Sequence, residues 1–189
     1  MRKFFIFIWE IVKVVVISLA IILPVRYFLI QPFYVQGASM EPNFHNSQYL
    51  IIDEISYRFD APTRGQVVVF RYPRDPQEYF IKRIIGLPGE EVQIKDGAVI
   101  IYNTSHPNGL TLDEPYLATG TKTYSDSEAK VSVGQNEYFV LGDNRGASKD
   151  SRYFGPVNKT FVTGKVLFRG WPLNQIKLFS AGAWPQYNN

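Results

Sequence analysis

Cysteine is absent from this 189-residue chain, and His45 and His106 are its only histidines. The first absence removes thiol nucleophiles, disulfides and cysteine-ligated metal sites together. The histidines lie 61 positions apart, so they form no ligand pair at helical spacing and no structural zinc or other metal is expected. No cofactor motif is present either. A cysteine-free chain is compatible with an oxidising exterior without requiring one. A distributed basic surface is also missing. The formal charge of +3 resides in the first 30 residues, where Arg2, Lys3, Lys13 and Arg26 oppose Glu10 alone. The remaining residues carry 16 basic and 16 acidic side chains, so no nucleic-acid partner is expected.

What is present divides the chain into an anchor at 1–30 and a domain at 31–189. Phe4 to Ile30 is an apolar run interrupted by Glu10, Lys13 and Arg26. Its uncharged centre, 14–25, is shorter than the roughly 20 residues a membrane-spanning helix needs, but the flanks make up the length. Glu10 and Lys13 are three apart and can face one another, and the flanking cations can reach the interfaces. A cleaved signal, a buried core helix and a retained anchor compete for this segment. A signal peptide calls for small residues after its apolar core. Here Leu23-Pro24-Val25-Arg26-Tyr27-Phe28 is bulky and charged, which favours the retained anchor. The excess of Lys and Arg before the core predicts a cytoplasmic N-terminus and an extracytoplasmic domain.

Tyr, Phe, Gly and Pro number 12, 14, 14 and 12, a composition that favours strands and turns after residue 30. Strands are predicted at 49–52, 65–72, 92–95, 98–102, 137–141 and 161–168, with Asp96-Gly97 as a hairpin turn. Together they suggest one mainly β, antiparallel domain. Residues 103–133 are polar and read as a surface excursion. In the tail, the aromatics from Trp171 to Trp184 suit either a membrane interface or packing on the core.

Three stretches carry candidate chemistry. Gly37-Ala38-Ser39-Met40-Glu41-Pro42 presents one serine just after the apolar run, although a serine beside Gly and Pro ordinarily shapes a turn. With no cysteine and so little histidine, a serine nucleophile needs another base, and lysine is the usual alternative. In Tyr79-Phe80-Ile81-Lys82-Arg83-Ile84-Ile85-Gly86 strand alternation sets Lys82 between Phe80 and Ile84. Apolar neighbours disfavour the ammonium and bring its pKa toward the range of a general base. The competing role for Lys82 is an edge-strand charge that discourages aggregation. The third stretch, from Gly142-Asp143-Asn144 through Ser148 to Asp150-Ser151-Arg152, is either a turn held by its own hydrogen bonds or a brace for residues brought from elsewhere.

Taken in order, these stretches with Arg64-Gly65-Gln66-Val67-Val68-Val69-Phe70 resemble the type I signal peptidase family, in its short Gram-positive-like form. The resemblance covers most of the chain outside 103–133. It implies a signal-peptidase β fold with an N-terminal transmembrane helix, and a membrane-bound serine endopeptidase acting on signal peptides of exported preproteins. It also implies a lipid-bilayer location near the export machinery. Ser39 is then the nucleophile, Lys82 the general base and Ser148 the residue that orients the lysine. Gly37, Met40, Arg83, Gly142, Asp143, Asn144, Asp150 and Arg152 support them. Gly37 stands where some members carry a hydroxyl that helps bind the oxyanion, which leaves that task chiefly to the Ser39 N–H. Asn43 stands where threonine is common. Two rivals remain open: an inactive membrane-tethered assembly factor on the same scaffold, and a self-cleaving Ser/Lys protease of the SOS-repressor type, which calls for a DNA-binding N-terminal domain.

Overall fold

The computed structural model describes residues 2–28, 30–179 and 184–185. Its first element is the helix α1, Arg2–Phe28. The sequence here is rich in Ile and Val, residues of modest intrinsic helix propensity, so an apolar medium that forces backbone groups to pair internally is its natural setting. Within it, Arg2–Leu23 is long and apolar enough to cross a membrane, about 33 Å at 1.5 Å per residue. All of its side chains are exposed, and the described chain offers no cover for them. Glu10 and Lys13 do not form an ion pair; the Lys13 amine instead lies 5.8 Å from the centre of the Trp9 ring.

The rest is mainly antiparallel β structure, in two sheets where the sequence suggested one. The larger contains β1 (Ile30–Tyr34), β2 (Tyr49–Asp53), β3 (Val67–Tyr72), β4 (Asp75–Gly86), β9 (Glu137–Leu141), β10 (Val157–Asn158), β11 (Val162–Trp171) and β12 (Lys177–Leu178). Its order is β1-β2-β11-β3-β4-β9-β10, with β12 paired to β11. The smaller has the order β7-β6-β5-β8, from β5 (Glu91–Lys95), β6 (Ala98–Tyr102), β7 (Leu110–Thr111) and β8 (Val131–Ser132). Asp96 and Gly97 take φ of 53° and 82°, the paired left-handed values of a two-residue hairpin turn, and join β5 to β6 in the expected register. The polar 103–133 segment supplies both edge strands of this sheet and buries Leu112, Thr123 and Val133, contacts too sparse in sequence to show as a pattern. Two single-turn helices, α2 (Ser56–Phe59) and α3 (Ser151–Phe154), complete the described elements apart from short 3-10 turns.

Strand limits move where local geometry intervenes. The strand expected from Gly65 begins at Val67, because Gly65 sits at φ 86° in the preceding turn. The Lys82 strand reaches back to Asp75 and forms a long hairpin with β3. One apolar cluster lies under β1, β2, β3 and β11 and includes Met40, Phe44, Leu50, Val69 and Val166. Phe179 stacks on Phe44 and Trp184 in this cluster, so that part of the tail packs inward while Trp171 remains half exposed. A second cluster joins the two sheets through Ile85, Val92, Ile101, Phe139 and Leu141.

A buried ion pair reinforces the join between the sheets. Arg64 meets both Glu90 oxygens at 2.8 and 2.6 Å, and Glu90 also accepts from the Leu87 N–H and the Asn103 amide. Burial raises the Glu90 pKa, but the bonds from Arg64, Asn103 and Leu87 outweigh it and hold the carboxyl below its ordinary value. Arg64→Met strands a buried carboxylate and should cost about 3–5 kcal/mol at neutral pH. Because the folded pKa is depressed, this advantage of the wild type should be full above the ordinary glutamate pKa and disappear as acid protonates Glu90. Melting curves of both proteins from neutral to acid pH measure the difference.

Candidate active site

The larger sheet leaves an opening beside β4. β4 pairs with β3 between Asp75 and Arg83, but β9 reaches it only from Arg83 to Gly86, so among the described residues the stretch from Asp75 to Lys82 has one free edge. Phe33 of β1 meets Tyr79 of β4 with ring centroids 5.2 Å apart, bringing the first strand of the sheet close to that edge. A cleft of about 610 Å³ lies here. Its floor and walls include Leu50, Val69, Phe80 and Ile81, and Ser39 and Lys82 both line it.

Ser39 Oγ and Lys82 Nζ are 2.8 Å apart. Residues 43 positions apart meet because the turn after β1 folds over the sheet and Met40 is driven into the core, with 1 % of its surface exposed. Ser39 itself stays partly accessible from the cleft. Lys82 is 4 % exposed, and its neighbours Phe80 and Ile84 belong to a cluster with Val68, Phe70 and Val140. Burial lowers its pKa from 10.5 to about 8, while the charges of Asp150 and then Asp143 pull in the opposite direction. The amine donates its other hydrogen bond to the Ile81 carbonyl at 2.8 Å. Such a pair can pass the serine proton to the amine and generate an alkoxide facing the cleft.

Ser148 departs from the sequence expectation. Its hydroxyl is buried and makes no hydrogen bond among the described residues; the Ile81 carbonyl, rather than Ser148, joins Ser39 Oγ as a partner of the Lys82 amine. Ser148 nevertheless packs at the site, against Gly142. A Cβ at Gly142 would collide with the Ser148 side chain and lie 2.5 Å from the Ser39 carbonyl oxygen, so only glycine permits this approach.

The other expected residues form a frame around the pair. Asn144 ties the loop to the serine turn: its N–H donates to the Ser39 carbonyl at 3.0 Å and its side-chain amide to the Ala38 carbonyl at 3.1 Å. Arg83 grips both Asp143 oxygens at 2.8 and 2.6 Å and donates to the Gly65 carbonyl. Arg152 grips both Asp150 oxygens, each at 2.8 Å, and Asp150 also accepts from the Gly142 N–H. Gly37 adopts φ 88° and donates its N–H to Asn46 Oδ1, with open space where a side chain would stand. The Ser39 N–H makes no hydrogen bond among the described residues.

Several participants were given no site role in the sequence reading. Asn43 bridges Asp143 Oδ2 and the Tyr116 carbonyl, each at 2.8 Å. Arg145 pairs with Glu114, linking the Gly142–Arg152 loop to the polar segment. Glu78 and Lys149 line the cleft. A charged residue next to a glycine carries no local mark of its partner, and only the density of short polar residues in 142–152 hinted at a network.

A serine on a β scaffold against a desolvated lysine defines the serine–lysine hydrolase class. Residues 8–171 match the family described as signal peptidase, peptidase S26. The Synechocystis sp. protein bearing the name "Probable signal peptidase I-2" is 38 % identical over 180 residues, covering 92 % of this chain and 78 % of that one. Signal peptidase I of Leptolyngbya laminosa is 35 % identical over 184 residues, with 93 % and 85 % covered. Signal peptidase IB of Staphylococcus aureus strain Mu50 is 33 % identical over 178 residues, with 86 % and 89 % covered. The chain belongs to the peptidase S26 family of signal peptidases.

Two substitutions probe the geometry. Gly142→Ala should push the Ser39 carbonyl and Ser148 apart and lower turnover by about a hundredfold, the scale of an ångström misplacement. Lys82→Met should fold but lack a rise in stability that the wild type shows between about pH 8 and 10.5. In that window the unfolded chain still binds the Lys82 proton that the folded chain has lost, so stability increases with pH. Denaturant titrations of both proteins across the window test this, and matching pH profiles would contradict the lowered amine pKa.

Proposed function

We propose that Ser39 and Lys82 are the nucleophile and general base with which this signal peptidase removes signal peptides from exported preproteins. The observation that carries the reading is the 2.8 Å contact between the serine hydroxyl and a buried amine. Neutral Lys82 takes the Ser39 proton as Oγ attacks the scissile carbonyl. The Ser39 N–H, with no partner among the described residues, donates to the developing oxyanion, and Gly37 adds no hydroxyl to that task. The lysine ammonium then protonates the leaving amine, and the signal segment remains as an ester on Ser39. Water attacks that ester with Lys82 again accepting a proton, which releases the new carboxylate and restores Ser39.

The free edge of β4 suits an extended substrate, which can add its backbone to the sheet and lay alternate side chains in the apolar cleft. Once Ser39 Oγ turns from the amine to the carbonyl, the unpaired Ser148 hydroxyl becomes the group that holds the lysine rotamer. The frame of Gly37, Met40, Arg83, Gly142, Asp143, Asn144, Asp150 and Arg152 supports the pair. Residues 1–30 anchor the enzyme in the lipid bilayer with the N-terminus cytoplasmic, and 31–189 form the extracytoplasmic peptidase domain, with 103–133 as its surface excursion. This placement sets the active residues beside preproteins leaving the export machinery.

Ser39→Ala, Lys82→Ala and Lys82→Arg should each abolish cleavage of a model preprotein by the full chain in detergent, without unfolding the domain. Arginine fails because its guanidinium keeps its proton. Wild-type cleavage by any of them ends the dyad assignment. The wild-type rate should climb with pH through about 8 as Lys82 deprotonates. Ser148→Ala should lower turnover by about ten- to a thousandfold with little change in melting temperature, since its hydroxyl makes no hydrogen bond to lose. Normal turnover removes Ser148 from the mechanism. A protease added to intact cells should digest the domain and spare an N-terminal tag; the reverse pattern overturns the orientation.

A further inference from the structure

Asp150 presents a conflict. Its carboxylate is fully buried, accepts from the Gly142 N–H at 3.0 Å and caps α3 by accepting from the Arg152 N–H. Through Gly142 it sets the strand-to-loop turn that touches Ser148 and the Ser39 carbonyl. Both Asp150 oxygens are therefore engaged by backbone N–H groups here. Yet a bare negative charge on the turn that meets Ser39, the hydrogen-bond partner of Lys82, favours the ammonium, the form that accepts no proton. Asp150 is the stronger of the two carboxylates acting on Lys82 in that sense, with Asp143 second.

We propose that Arg152 is a positioning residue whose guanidinium, clamped on both oxygens of Asp150, shields Lys82 from that carboxylate and so keeps the general base available near neutral pH. The proposal rests on the Ser39–Lys82 reading and assigns Arg152 an electrostatic role within it. The clamp is bidentate, 2.8 Å on each side, with the Arg152 side chain itself buried to all but 8 %. A close pair of opposite charges has a field that falls away faster than that of a single charge, and burial limits screening by solvent. Lys82 itself forms no ion pair among the described residues; its amine bonds Ser39 Oγ and the Ile81 carbonyl.

The other charges around Lys82 do not perform this task. Arg83, the next residue on β4, neutralises Asp143 in the same bidentate manner, but its guanidinium also lies 3.9 Å from the centre of the Tyr116 ring and holds the Gly65 carbonyl. Its loss would disturb several contacts together; Arg152 likewise donates to the Arg145 and Tyr124 carbonyls at 2.8 and 3.0 Å, so the pH midpoint, and not the rate alone, separates its electrostatic part from its structural one. Glu78 and Lys149 stand at the exposed side of the cleft, where water screens them. The turn that carries Ser39 brings Glu41 and His45, which face each other at 3.5 Å. From β3 the residue paired with Lys82 is the uncharged Val68.

The experiment is the pH dependence of kcat/KM for the full chain in detergent, on a synthetic signal peptide with alanine before the cleaved bond. This profile reports the base in the free enzyme. Arg152→Gln should move the rising limb upward by about one unit, the scale of a newly exposed neighbouring charge, and lower the rate at pH 7 about tenfold. Arg152→Lys keeps the positive charge and should hold the wild-type midpoint even if its rate falls. Adding Asp150→Asn to Arg152→Gln should bring the midpoint back toward wild type. Should Arg152→Gln not fold, Asp150→Asn alone tests the same field from the other side, because an unpaired Arg152 must move the midpoint down. A uniform loss of rate with an unmoved midpoint would show that Arg152 is only structural, and overturns the inference while leaving the Ser39–Lys82 reading intact. A wild-type profile with no rising limb near pH 8 overturns both.

Discussion

The interaction on which the site depends is the enclosure of one amine. Lysine in water holds its proton far too firmly to act as a base near neutral pH. Here β4 carries Lys82 into a cluster of apolar side chains, and the turn after β1 closes over it, so that hydration of the ammonium is largely lost. The serine hydroxyl then lies at hydrogen-bonding distance from the amine. Burial at this point is a cost to the fold that, on the proposed mechanism, becomes an asset, since it destabilises the protonated form.

Enclosure places demands on everything around it. The loop after β9 brings two carboxylates close to the amine, and each is bound by an arginine at both oxygens. The same loop must approach the serine turn closely enough for Asn144 to bond the Ala38 and Ser39 carbonyls, which Gly142 allows by having no side chain. Rigid packing behind this frame comes from the cluster between the two sheets and from the buried Arg64–Glu90 pair. Access to the lysine is through the cleft. In front of it β4 keeps a free edge, where a peptide backbone can take the place of the missing strand.

Much of the architecture was legible because its cause is local. Asp96-Gly97 between alternating residues meant a hairpin, and the chain forms it. The apolar run from Phe4 meant a long helix, despite the charges inside it. The smaller sheet was not legible as a separate layer, because its edge strands are two residues each and lie in a polar stretch. Strand β4 is longer than expected because Asp75 to Glu78 are exposed and only Asp75 among them has a partner on β3, so no apolar alternation announces this part of the strand. The orphaned Ser148 hydroxyl likewise depends on how Gly142 packs, which no residue near Ser148 in sequence reports.

The chemical repertoire is set by residue content alone: no thiol, almost no imidazole, a serine in the small-residue turn at 37–42 and a lysine set between Phe80 and Ile84 by strand alternation. The apolar N-terminal helix and the antiparallel β class follow from local pattern, because hydrophobic period and turn residues act over a few positions. The contact between residues 39 and 82, the commitment of Arg83 and Arg152 to Asp143 and Asp150, and the open edge of β4 come from the packing of distant segments. Those are distances across the fold. They follow from which strand lies beside which, and a linear pattern carries no record of that until packing brings the distant segments together.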